Sequence, residues 1–136
     1  MIALLTIRAI KGRKSVQLER KENAMYLPMK VGNISLNFLV DTGASTMVIF
    51  SSSYKKINDN RCCYFNKSIN MIIADGTKKE CPVIDFVYTN GNKTYKTEIA
   101  IMEDNGQKNY DGLVGMELLN QMKASIDVEH NLMYIE

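Results

Sequence analysis

The strongest chemical signal in this chain of 136 residues is Asp41-Thr42-Gly43, reached at the end of the apolar run Phe38-Leu39-Val40. A carboxylate at the end of a buried strand is costly unless it is hydrogen-bonded or shares a proton with a second carboxylate. Thr42 brings a short hydroxyl, and Gly43 tolerates the backbone angles of a tight turn. Two carboxylates held close retain one proton between them, because both cannot ionise side by side. The ionised member can then take a proton from water while the protonated member donates one to a carbonyl oxygen, so a single residue type acts as base and acid. The chain has one such tripeptide. Asp75-Gly76-Thr77 has another residue order, and Tyr110-Asp111-Gly112 lacks the hydroxyl between Asp and Gly. A pair of acids therefore calls for a second copy of the chain, and symmetric dimers are the commonest oligomers. Taken alone, Asp-Thr-Gly reads more readily as a turn or capping aspartate.

Two further segments change that balance. Asp41-Thr42-Gly43-Ala44-Ser45, followed by apolar Met47-Val48-Ile49, resembles the active-site signature of the retropepsin-like aspartic proteases. Met71-Ile72-Ile73-Ala74-Asp75-Gly76-Thr77 resembles the hairpin flap that covers substrate in that family. Asp111-Gly112-Leu113-Val114-Gly115-Met116-Glu117-Leu118-Leu119 resembles the apolar-Gly segment and short helix that close its core. The three blocks fall in the family's order and cover roughly residues 25–136.

The resemblance implies an aspartic endopeptidase that works as a homodimer, with Asp41 of each copy as the catalytic acid. It implies that Thr42 bonds across the dimer, that the Gly43 N–H braces the carboxylate, and that Ala44 keeps the pocket floor small. Ala74, Asp75, Gly76 and Thr77 would line the substrate side of the flap, over a peptide or protein substrate bound in extended form. The family's viral members have glycine-rich flap tips, whereas here Lys78, Lys79 and Glu80 follow a polar tip. No cofactor and no metal are implied. The alternative is a catalytically silent retropepsin-like module for dimerisation or peptide binding.

Other chemistries find weaker footing. His130 is the single histidine, and the adjacent Cys62 and Cys63 are too close to span a tetrahedral metal site. A cysteine nucleophile needs a histidine partner, for which only His130 is at hand. Gly112-Leu113-Val114-Gly115 lacks the Lys and Ser or Thr of a phosphate loop, and reads as glycines that let a strand pass close beneath the Asp41 loop. A net charge of +2 argues for no charged partner. The basic N-terminal residues Arg8, Lys11, Arg13, Lys14, Arg20 and Lys21 are interrupted by Glu19 and Glu22; they read as a solvated arm rather than a nucleic-acid patch. Three cysteines without regular spacing make a poor disulfide framework and fit a reducing compartment. Arg8 cuts the apolar start short, so neither a secretory signal nor a membrane span is expected, and the chain reads as cytoplasmic.

The elements that position Asp41 are strands. Ile34, Leu36 and Phe38 alternate with Ser35 and Asn37, the period of a half-buried strand ending at Asp41. Tyr26–Val31 precedes it across a Gly32-Asn33 turn, and Pro28 suggests an edge position. Met47–Phe50 follows. Residues 51–66 read as a polar loop with a helical turn near Tyr54. Residues 68–74 and 79–88 form a hairpin around Asp75-Gly76, and Asn90-Gly91 turns the chain into Thr94–Met102. Leu113-Val114 is a short buried strand, and Met116–Lys123 has helical spacing, with Met116, Leu119 and Met122 on one side. Ser125–Val128 and Leu132–Ile135 make a last hairpin; the resemblance to the retropepsin-like family makes Ser125–Glu136 the candidate for an intersubunit sheet. The expected fold is all-β: a small closed barrel with one short C-terminal helix and a β-hairpin flap. The domain is expected to begin near Met25, with residues 1–24 an N-terminal arm or a propeptide removed by self-cleavage.

Overall fold

The computed structural model describes residues 1–57, 67–72, 75–90, 93–104, 106 and 109–136. Its strands are β1 (Ile2–Leu4), β2 (Ile7–Ile10), β3 (Arg13–Gln17), β4 (Glu19–Lys21), β5 (Ala24–Val31), β6 (Ile34–Val40), β7 (Met47–Phe50), β8 (Lys67–Ile72), β9 (Lys78–Asn90), β10 (Lys93–Met102), β11 (Gly112–Val114), β12 (Ser125–Asp127) and β13 (Leu132–Ile135). The helices are α1 (Ser51–Ile57) and α2 (Met116–Gln121).

The larger sheet closes on itself. Strands run β1-β5-β6-β11-β7-β10-β9, and β9 returns to pair with β1 in parallel, Ile2 opposite Val87 and Leu4 opposite Thr89. The expected closed β-barrel is thus present, with β8 extending β9 and β4 extending β5 outside the ring. Leu27, Leu36, Phe38, Met47, Ile49, Phe86, Tyr88 and Ile99 fill its interior. The alternation read in Ile34–Phe38 is the inward face of β6: Leu36 and Phe38 are buried and Ser35 is exposed. Gly32 turns β5 into β6 with φ +60°, a backbone angle that glycine adopts without a steric penalty.

Pro28 does not lie on an outer strand. β5 has β6 on one side and both β4 and β1 on the other. Yet β4 pairs with residues 24–26 and β1 with Lys30, so Pro28 falls in the gap between them. Its partner Asn37 directs its own backbone groups away, to Asp111. A residue without an N–H leaves no broken ladder bond there.

Residues 1–24 are woven into the barrel. β1 belongs to the ring, β4 extends it, and β2 and β3 join β13 and β12 in a second sheet of order β12-β13-β3-β2. Ala3, Leu5, Val16 and Leu18 are buried in the same core as β5 and β6. Burying each of the larger three contributes about 1.5–3 kcal/mol. Lys11 and Gly12, both at positive φ, form the two-residue turn of the β2–β3 hairpin.

Among the described residues a second helix accompanies the expected C-terminal one. Ser51–Ile57, expected as a loop with a helical turn, is α1; the Ser51 hydroxyl donates to the Met102 carbonyl and that of Ser53 to Asp111. In α2 the buried face is Leu118, Leu119 and Met122, and Met116 points outward. The helix ends with the Lys123 N–H on the Asn120 carbonyl and the Ala124 N–H on the Leu119 carbonyl, a Schellman closure with Lys123 at φ +51°. The C-terminal hairpin pairs through β13 with β3 of its own chain, which leaves β12 at the edge of the smaller sheet.

Candidate active site

Asp41 follows the last residue of β6 and is half-buried. Its backbone N–H donates to the Val114 carbonyl at 3.0 Å, so β11 carries the ladder one residue past the strand. The Ala44 N–H donates to the Asp41 carbonyl at 3.1 Å, which closes the turn. The Gly43 N–H donates to Asp41 Oδ1 at 2.9 Å and aims the carboxylate. Thr42 and Gly43 are exposed, and Ala44 is half-buried. Four of the expected site residues therefore share one surface loop.

That loop rests on the chain entering α2. The Met116 N–H donates to the Ala44 carbonyl at 2.8 Å, and the Glu117 N–H to the Ser45 carbonyl at 3.0 Å. The close approach needs glycine: a Cβ on Gly115 would lie 2.7 Å from the Ala44 oxygen and 2.9 Å from the Ser45 carbonyl carbon. One on Gly112 would lie 2.0 Å from the Val48 oxygen. The packing role read for these glycines is what the contacts require.

Asp75, Gly76 and Thr77 occupy the separate β8–β9 hairpin, where Ile72 pairs with Lys78 across the tip. Ala74 lies outside the described residues. Thr77 donates to Asp75 Oδ1 from its hydroxyl at 2.6 Å and its amide at 2.9 Å. Those two bonds hold the Asp75 carboxyl below its ordinary value. Gly76 sits at φ +86°, and Ile72, on the strand leading to the tip, is 71% exposed.

Beside Asp41 and Thr42 opens a groove of about 540 Å³. Met25, Leu39, Val40, Ile126 and Val128 make it largely apolar, and Asp41 is the only acid among its lining residues. Arg20 borders it and is tied to the β12–β13 turn, donating from Nε to Asn131 Oδ1 at 2.7 Å and from Nη2 to the Val128 carbonyl. Gln17 adds a bond to the Asn131 carbonyl at 2.9 Å. The sequence reading grouped Arg20 with a solvated arm; its bonds lie with residues more than a hundred positions later, for which no local pattern exists.

Two side chains weighed for other chemistry are otherwise engaged. Cys81 is buried, which pushes its thiol up, the wrong direction for a nucleophile. His130 Nδ1 lies 2.8 Å from Asp127 Oδ2 in the turn after β12. Cys62 and Cys63 lie outside the described residues, among which no cluster of three or more potential metal ligands occurs. No helix among them is long and apolar enough to cross a membrane.

No protein-family model matches the chain. Solved structures similar in fold include two proteins of known family. One is a retropepsin-like aspartic protease from Rickettsia conorii, 21% identical with a TM-score of 0.56, over 89% of this chain and 88% of that one. The other is the retroviral protease-like domain of Ddi1 from Leishmania major, 16% identical with a TM-score of 0.61, over 85% of this chain and 90% of that one. The chain has the retropepsin-like fold.

Proposed function

We propose that this chain of retropepsin-like fold is an aspartic endopeptidase, active as a homodimer in which Asp41 of each copy faces the other across the two-fold axis. The observation that carries the reading is the setting of Asp41: a carboxylate braced by the Gly43 N–H, on a loop seated against Gly115, at the mouth of a groove whose lining has no second acid among the described residues. The missing acid then comes from the partner. A water molecule between the two carboxylates gives its proton to the ionised one as its oxygen attacks the peptide carbonyl carbon. The protonated carboxyl gives its proton to the carbonyl oxygen. When the tetrahedral centre collapses, one of its hydroxyls gives its proton to the ionised carboxylate, the C–N bond breaks, and the protonated carboxyl passes its proton to the leaving nitrogen, so the dyad again holds one proton.

Several features favour a partner on this face. Val128 is 59% exposed at the groove, and β12 offers an unpaired edge beside it, among the described residues. Exposed Thr42 is free to reach its counterpart. The apolar groove and exposed Ile72 on the hairpin suit an extended peptide with bulky apolar side chains, covered by residues 74–77 acting as a lid.

Cleavage of an unstructured protein at mildly acid pH, inhibited by pepstatin and lost in Asp41→Asn, is the expected result. Sedimentation should show activity rising with the dimer fraction. Equal behaviour of wild type and Asp41→Asn would select the silent binding module, and full activity in a monomer would refute the shared dyad.

A further inference from the structure

The Asp111 side chain lies away from the groove beside Asp41, in the chain leading into β11. Both of its oxygens are engaged. Oδ2 accepts the Asn37 N–H at 2.8 Å, and Oδ1 accepts the hydroxyl of Ser53, which is 3% exposed on α1, at 2.6 Å. The Asp111 backbone joins the same knot: its N–H donates to the Asn37 carbonyl at 2.7 Å, and its carbonyl accepts the Phe50 N–H at 2.9 Å. One residue thus fastens β6, the end of β7 and α1 together.

Asn37 lies at one end of the β6–β11 ladder and Asp41 at the other. Between them Phe38 pairs with Gly112, Leu39 with Leu113 and Val40 with Val114, and the ladder ends on the Asp41 N–H. Four residues of strand span about 13 Å and transmit a register without slack, since a one-residue slip would turn every side chain to the opposite face. β11 has only three residues with which to hold that register. A Cβ on Gly112 would lie 2.0 Å from the Val48 oxygen and 2.8 Å from the Phe38 ring, so β11 runs close against both.

We infer that Asp111 is a positioning residue for Asp41: its carboxylate locks Asn37 to the start of β11, and the locked ladder sets where the Asp41 loop stands. Its effect on catalysis rests on the peptidase reading above; its effect on the position of Asp41 does not. In Asp111→Ala the Asn37 N–H and the Ser53 hydroxyl both lose their acceptor. In Asp111→Asn the amide oxygen takes the Asn37 N–H, and the NH₂ donates to the Ser53 oxygen once that hydroxyl rotates.

Amide exchange read residue by residue by NMR tests the clamp without any activity. Asp111→Ala should exchange the Asp41 amide about tenfold faster or more, with β13 amides unchanged, and Asp111→Asn should remain within about threefold of wild type. In turnover, Asp111→Ala should lower kcat about tenfold or more with KM within about threefold, and Asp111→Asn should restore it. Exchange that rises equally in β6 and β13 makes Asp111 a general stability residue and overturns the inference, as does an Asp41 amide unaffected by Asp111→Ala. A wild-type chain that cleaves nothing but shows the selective exchange change upholds the clamp and refutes the peptidase.

Discussion

Gly115→Ala isolates the seating of the Asp41 loop. Gly115 has φ −98° and ψ −175°, angles open to any residue, so alanine adds no backbone strain. The whole cost is contact. The new methyl would lie 2.7 Å from the Ala44 oxygen, 2.9 Å from the Ser45 carbonyl carbon and 2.9 Å from the Ser45 oxygen. All are backbone atoms, so no side chain can rotate away. Forcing a methyl into a packed site costs about 1–3 kcal/mol. Relief requires the loop to lift, which stretches the bonds from Met116 and Glu117 to the Ala44 and Ser45 carbonyls. Weakening that pair adds up to about 1 kcal/mol. The total lies between about 1 and 4 kcal/mol, and its middle, about 2–3 kcal/mol, should lower the urea midpoint by about 1–2 M at unchanged slope. A lifted loop also displaces Asp41, and a misplacement near 1 Å costs about a hundredfold in rate. Urea unfolding and peptide cleavage measured on one preparation test both parts. A variant within about 0.5 kcal/mol of wild type, cleaving at the same rate, would show that Gly115 is not what seats the loop.

Two other perturbations probe the frame around the site. Lys123 holds a positive φ at the end of α2, where a side chain costs about 1–2 kcal/mol. In Lys123→Gly, the looser unfolded chain and the lost exposed ion pair to Glu136 offset most of that, so a net gain of about 0.5 kcal/mol and a melting point about 2 °C higher are expected by calorimetry. Asp127 raises the pKa of His130 through its hydrogen bond and charge, so this stabilisation is complete below the ordinary histidine value of 6.5 and disappears as pH rises through the folded value. The hydrogen bonds from His130 lower the pKa of Asp127, whose share is present above 3.8 and is lost as pH falls through its folded value. His130→Gln should therefore melt below wild type near pH 5 and converge with it by about pH 8–9. A melting difference independent of pH would refute the pairing.

The parts of the fold written in neighbouring residues were readable from sequence. Alternation in Ile34–Phe38, the turn at Gly32-Asn33 and the hairpin at Asp75-Gly76 are local patterns, and each became the expected element. The aspartate at the end of β6 stood out because its surroundings are so apolar. What stayed hidden depends on distant partners. Ala3 and Leu5, like Val16 and Leu18, keep a strand's two-residue spacing and residues 1–10 alternate loosely, but such short runs do not reveal their partners, which are β9 and β13. The Ser51-Ser52-Ser53 run looks like a loop until Ser53 meets Asp111. Asp111 drew notice as the first residue of the third block and for lacking a hydroxyl neighbour, not for its carboxylate, since no local rule marks a carboxylate that caps a strand far away. Leu118, not Met116, turned inward because of how α2 lies on the barrel, which helical spacing alone leaves undecided.

The parallel seam between β1 and β9 has a consequence for synthesis. Ile2 leaves the ribosome ahead of β5, β6 and β7, but its partner Val87 follows only after those strands have been translated, and β3 must wait for β13. Native pairing of the opening strands is therefore a late event with a large loop-closure cost, and slow maturation follows from such topology. Until then, the nascent chain presents unsatisfied strand edges to its neighbours, and a holding chaperone would act during that interval.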